Sequence, residues 1–260
     1  MSDEDERQST EDASTVDHGT CAHKNDNVDL IEDMLADVQE DVDALDLVHL
    51  RITSISALHL NRFTQLRSLC LRQNLITEMD GGLEQNVALE ELDLYDNRIQ
   101  RVQGVSHLKK LTSLDVSFNK LKQIDEDIGS LVSLTDVYFV QNKIKEISDV
   151  LTPLVNLRNL ELGGNRIRKI ENLDALQALE QLWLGKNKIE RLQGLSGLKK
   201  LKLLSIQSNR ITRLEGLEGC ESLEELYLSH NGIARIENLE KNGRLRVLDM
   251  ASNQIVTTHY

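Results

Sequence analysis

An asparagine returns along this chain at an almost constant interval. Asn74, Asn97, Asn119, Asn142, Asn165, Asn187, Asn209, Asn231 and Asn253 follow one another at steps of 22 or 23 residues. Each sits in the same pattern, L-x-x-L-x-L-x-x-N-x-I-x-x-I. The pattern is plain in "LEELDLYDNRIQRV" (89–102), "LTSLDVSFNKLKQI" (111–124), "LRNLELGGNRIRKI" (157–170) and "LEELYLSHNGIARI" (223–236). An earlier copy, "VDALDLVHLRITSI" (42–55), carries Leu50 in the Asn slot. A unit this short cannot bury its own apolar face, so successive units must stack and share one continuous core.

Within each unit the x-L-x-L-x stretch has period two, which predicts a short strand with one buried face. The leucines and isoleucines at template positions one, four, six, eleven and fourteen then point inward. The Asn lies where the chain leaves the strand, and its amide can satisfy backbone groups of neighbouring turns. Return segments such as "QGLSGLKK" and "EGLEGCES" add further inward residues, with Cys220 in the slot that Leu198 fills one turn earlier. Cys220 is therefore expected to pack as a small hydrophobe. The whole pattern, over residues 42–260, resembles the leucine-rich repeat family. The predicted fold is an α/β solenoid of about ten 22–23-residue turns around a parallel concave sheet. Its last turn is expected to be incomplete, with a truncated or alternatively ended form that frays there. Upstream, "VDLIEDMLADV" places Val28, Ile31, Met34, Leu35 and Val38 at helical spacing, which predicts a cap helix over 28–41.

Charge is unevenly distributed. The chain carries a net charge of −13, and residues 1–40 hold thirteen Asp and Glu against Arg7 and Lys24. Residues 1–27 have too few apolar groups to offset their ordering entropy and read as a disordered acidic tail. No apolar run approaches the ~20 residues needed to cross a bilayer. Cys21, Cys70 and Cys220 are odd in number and far apart, which points to a reducing compartment and predicts a nuclear and cytoplasmic location.

Position five of each turn falls between two buried residues and must face out. Down the array it reads Asp46, Cys70, Asp93, Asp115, Tyr138, Glu161, Trp183, Ser205, Tyr227 and Asp249, and position seven adds Tyr95. This column has five carboxylates, three aromatics and no Lys or Arg. Four of the chain's eight aromatic residues (Tyr95, Tyr138, Trp183, Tyr227) lie on this one face. Single exposed aromatics need no explanation, but filler would not concentrate half of them here while excluding every base. Rigid aromatics ringed by charge are the composition of a protein-binding hot spot, and the acidity predicts a partner with basic patches. Asp93 and Asp115 sit one strand apart and invite comparison with a catalytic or metal-binding carboxylate pair. Nothing else supports catalysis: HExxH, GxSxG, CxxC and a phosphate loop after a strand are all missing. Nucleic acid is not expected either, because the face lacks the Lys and Arg that neutralise phosphates.

Particular stretches narrow the resemblance. "LCLRQNLI", "LELGGNRI", "LGKNKI", "LYLSHNGI" and "LDMASN", with E-N-L and E-G-L continuations, are similar to an intracellular group of leucine-rich repeat proteins that regulate phosphatases. That resemblance implies a non-catalytic subunit without cofactor or metal. Its concave face would clamp the catalytic subunit of protein phosphatase 1, with a further phosphatase inhibitor subunit as a third component and a role in chromosome segregation. It carries partner contacts onto Asp115, Tyr138, Glu161, Trp183 and Asp249. Asp93, Tyr95 and Tyr227 join them as candidates from the surface reading alone. The short docking pattern of a base followed by Val-x-Phe is missing, since "TDVYF" lacks the base and Phe139 points inward. A leucine-rich repeat scaffold for another intracellular protein, in a spliceosomal or ciliary assembly, is the alternative.

Overall fold

The computed structural model describes residues 34–258. The proposed acidic tail, together with Val28 and Ile31 of the proposed cap, lies outside the described residues. Strands of three residues form at positions three to five of successive turns. They are β1 (Ala44–Asp46), β2 (Ser68–Cys70), β3 (Glu91–Asp93), β4 (Ser113–Asp115), β5 (Asp136–Tyr138), β6 (Asn159–Glu161), β7 (Gln181–Trp183), β8 (Leu203–Ser205), β9 (Glu225–Tyr227) and β11 (Val247–Asp249). All ten pair in parallel, in sequence order, in a single sheet. A second, two-stranded parallel sheet joins β10 (Arg235–Ile236) to β12 (Thr257–Thr258).

One turn shows why the stack holds. Leu157, Leu160, Leu162, Ile167, Ile170, Leu173 and Leu176 are each 0% exposed. Each inward residue meets its equivalents in the turns before and after, so the core runs the length of the array. Cys220 is also fully buried, and that burial pushes its thiol up to about 11, as expected for a packing residue.

The asparagines form a ladder. Asn165 donates from Nδ2 to Phe139 O and Leu162 O, and its Oδ1 accepts from Ile144 N. The same three bonds recur at Asn97, Asn119, Asn142 and Asn187. The residue before each Asn adopts positive φ, from Gln73 (55°) through Phe118 (55°) to Ser252 (56°). That left-handed step turns the chain out of the strand. A second left-handed position explains the E-N-L and E-G-L continuations. Asn172, Gly194, Gly216 and Asn238 have φ of 60–72°. The left-handed φ favours glycine or asparagine in the slot, and at Gly194 even a Cβ would come within 2.6 Å of Ile170 O. Asn172 in the same slot donates to Ile147 O at 2.8 Å.

The N-terminal cap differs from its sequence reading. Helix α1 (residues 34–36) ends there rather than at 41, where Val38 N bonds back to Leu35 O and closes the last turn. Leu35 is buried and Val38 packs against the core, but Met34 is 46% exposed. A further helical turn, α2 (Glu126–Gly129), and the 3₁₀ turn Asp149–Leu151 lie in two of the 23-residue units, whose extra residue lets the return segment wind. They pack closely: a Cβ on Gly129 would lie 2.5 Å from Val150 O.

Candidate functional site

The strand register builds the candidate surface directly. Cα pairing runs Asp93↔Asp115, Asp115↔Tyr138, Tyr138↔Glu161, Glu161↔Trp183, Trp183↔Ser205, Ser205↔Tyr227 and Tyr227↔Asp249. Each outward side chain is flanked by buried ones, such as Leu182 and Leu184 around Trp183. Asp93, Tyr95, Asp115, Tyr138, Glu161, Trp183, Tyr227 and Asp249 are all partly exposed on this concave face. Ser205 departs from the column by being 4% exposed. It is a small side chain in register between Trp183 and Tyr227, and its hydroxyl turns to Gln207 Oε1.

Three of the aspartates also serve the backbone. Asp93 accepts from Tyr95 N at 2.9 Å, Asp115 from Ser117 N at 2.8 Å and Asp249 from Ala251 N at 3.0 Å. Each caps the step out of its strand with one carboxylate oxygen, a local role common for Asp at turns. The sequence reading assigned these residues to binding alone. For Asp249 that backbone bond leads in holding the carboxyl below its ordinary range. Asp115 and Glu161 shift the other way. Burial raises both carboxyls, and the Asp115 charge raises Glu161 further. This centre of the face is short of positive charge, and an incoming cation would relieve it.

At the N-terminal end, position seven supplies Arg72, which the sequence reading overlooked. Its guanidinium lies 4.2 Å above the Tyr95 ring and 3.0 Å from Asp93. Tyr95 in turn meets the exposed Phe118 with ring centroids 4.9 Å apart. Toward the C-terminal end the same column becomes Val140, Gly163, Gly185 and Gln207. The two glycines open a groove of about 430 Å³ beside Trp183, lined also by Glu161, Lys186 and Ser229. The Trp183 indole Nε1 is buried at the edge of this groove with no hydrogen-bond partner. A paired glycine in the position-seven column was the sequence signal for this groove.

Among the described residues no group of three or more His, Cys, Asp or Glu side chains could hold a metal ion. No helix among them is long and apolar enough to cross a membrane.

Family profiles agree with the architecture. "Leucine-rich repeat" profiles match residues 152–259 and 109–167, and "Leucine Rich repeats (2 copies)" matches 87–128. Residues 87–259 of this chain therefore carry leucine-rich repeats. Two solved leucine-rich repeat structures show the same fold. A Leptospira interrogans protein superposes with TM-score 0.67 at 24% identity, covering 84% of this chain and 69% of its own. Internalin C2 of Listeria monocytogenes gives TM-score 0.64 at 27% identity, covering 76% and 83%.

Among curated proteins, the chain is 46% identical over 94 residues to "Protein phosphatase 1 regulatory subunit SDS22" of Saccharomyces cerevisiae, covering 35% of this chain and 28% of that protein. It is 49% identical over 84 residues to the protein of the same name from Schizosaccharomyces pombe, covering 32% and 24%. The matched stretch spans about a quarter of the length of these relatives. Both are named as regulatory subunits.

Proposed function

We propose that this chain is a non-catalytic regulatory subunit that binds the catalytic subunit of protein phosphatase 1 through its concave face. The observation that carries the reading is the continuous register of Asp115, Tyr138, Glu161 and Trp183 on adjacent strands. It places two raised carboxyls and two rings side by side on a face that no described element covers. At ~4.8 Å per strand, the run from Asp115 to Asp249 spans on the order of 30 Å, the footprint of a folded protein. High identity to two phosphatase 1 regulatory subunits supplies the partner class. A nuclear and cytoplasmic location, a third inhibitor subunit and a part in chromosome segregation belong to the same proposal.

Arg72 pairs with Asp93 and lends Asp115 only its longer-range charge, and among the described residues neither Asp115 nor Glu161 has an ion pair, so a cationic patch on the partner meets its largest unmet demand there. The test is isothermal titration of the full chain into purified phosphatase 1 catalytic subunit. Saturable one-to-one heat, with an affinity that falls about tenfold when Asp115 and Glu161 are both replaced by Lys, is expected. No complex, or a complex indifferent to that replacement, would sink the proposal.

A further inference from the structure

Two exposed columns of this solenoid treat charge in opposite ways. Position two reads Arg158, Glu180, Lys202, Glu224 and Arg246 over its last five turns. Sign alternates from turn to turn, and neighbours pair: Lys202 with Glu180 at 2.6 Å and Arg246 with Glu224 at 3.4 Å. Alternation is how a stacked array carries solvating charge without self-repulsion. Position ten, the residue after each Asn, reads Arg98, Lys120, Lys143, Arg166, Lys188 and Arg210 in six consecutive turns. Sign never changes there. None of the six side chains has an ion pair or hydrogen bond among the described residues.

These six are held in one line by the backbone. Lys120 N donates to Ile99 O, Lys143 N to Leu121 O, Arg166 N to Ile144 O, Lys188 N to Ile167 O and Arg210 N to Ile189 O, each at 2.8 Å. Five of the side chains are exposed and Lys188 is half-exposed. Position eleven is buried in each of these six turns, so position twelve projects outward again. It adds Lys122, Lys145 and Arg168 as a second basic row in the middle turns. The chain as a whole carries −13, so this edge is a local reversal of sign that nothing in the packing requires.

We propose that this edge docks an extended acidic peptide segment of a partner protein, separately from the concave face. The length fits: five steps of ~4.8 Å span on the order of 25 Å, which an extended strand covers in roughly seven or eight residues at ~3.4 Å each. The width fits as well, because the basic strip is one to two side chains across. Acidic Asp96, Glu146 and Glu190 border it and would repel a broad polyanion. Neither basic row contains an aromatic side chain on which a nucleobase could stack, so a peptide is favoured over single-stranded nucleic acid.

The experiment is fluorescence anisotropy on the full chain with a fluorescein-labelled octapeptide of alternating Glu and Asp, and with a fluorescein-labelled oligouridine of matching length. Saturable peptide binding that weakens steeply between low and physiological salt is expected. The variant K120E/K143E/R166E/K188E should weaken it at least about tenfold. A control with the same charge change elsewhere, K110E/K200E/K241E/R244E, should stay within about twofold. If circular dichroism shows the reversal variant to be unfolded, K120Q/K143Q/R166Q/K188Q takes its place. The proposal is overturned by absence of peptide binding, by equal losses in the edge and control variants, or by tighter binding of oligouridine than of peptide.

Discussion

The N-terminal part and the middle of the concave face are built from the same column positions and yet present different surfaces. Around β3 the groups satisfy one another: Arg72 pairs with Asp93 and covers Tyr95, and Tyr95 rests on Phe118. Around β6 and β7 they do not. Glycines leave space beside Trp183, whose indole N–H has no partner, and Glu161 is raised by burial and by Asp115. A group already paired within the chain gains little from a partner, because binding must first match what it gives up. A ring bordering an open groove, or a carboxyl without an ion pair, gives up less and gains more. The middle of the face should therefore carry more binding energy than its N-terminal part, although both hold aromatic and acidic residues.

The largest expected effect tests that difference directly. Trp183→Ala should weaken phosphatase binding by ~2 kcal/mol or more, about thirtyfold, while Tyr95→Ala should cost under ~1 kcal/mol. Titration calorimetry on both variants reads the order, and a larger loss at Tyr95 would break the comparison. Next comes charge. Replacing both Asp115 and Glu161 by Lys should slow association at low salt about tenfold and remove its salt dependence, as stopped-flow mixing can show. Replacing Asp93 alone should change the rate much less, since Arg72 already neutralises it.

Filling the groove comes third. A Cβ on Gly185 would meet only Gln207, at 3.5 Å. Gly185→Leu should therefore fold normally yet weaken binding about fivefold by occupying the space beside Trp183. Unchanged affinity would mean that the partner does not enter the groove.

A smaller effect concerns pH. Burial holds the Asp115 and Glu161 carboxyls above their ordinary range, so the folded chain takes up protons there before the unfolded chain does. Their contribution to stability is unfavourable at neutral pH and fades as pH falls through the raised folded values toward the ordinary ones. Glu161→Gln should accordingly stabilise the free chain by up to about 0.5 kcal/mol at neutral pH, with no gain once both carboxyls are protonated. Chemical denaturation at several pH values checks this, and a stability loss at neutral pH would contradict it.

The smallest effect is expected at Asp249, whose carboxylate is engaged by Ala251 N. Asp249→Asn should alter binding by less than about twofold. Leu245, Leu248 and Met250 around it are only partly buried, whereas Leu157, Leu160 and Leu162 are 0% exposed. Amide exchange should be faster at 245–255 than in the central turns. Equal protection would show that the last strand is held more firmly than its packing suggests.

Much of this molecule is written in its local pattern. A 22-residue repeat with period-two leucines leaves one way to share a core, so strand positions, register, the Asn ladder and the burial of Cys220 and Phe139 follow from the sequence alone. The outward column follows too, since alternation forces it. Relations between different columns are not written there. That Arg72 would fold over Tyr95 depends on side-chain reach across one turn. That Asp93, Asp115 and Asp249 each cap a backbone N–H depends on the dihedral angles of the step out of the strand. The groove beside Trp183 exists because Gly163 and Gly185 stack at the same height. Repetition determines what each position faces. The tertiary structure alone decides which of those facing groups find partners within the chain, because those contacts form between turns.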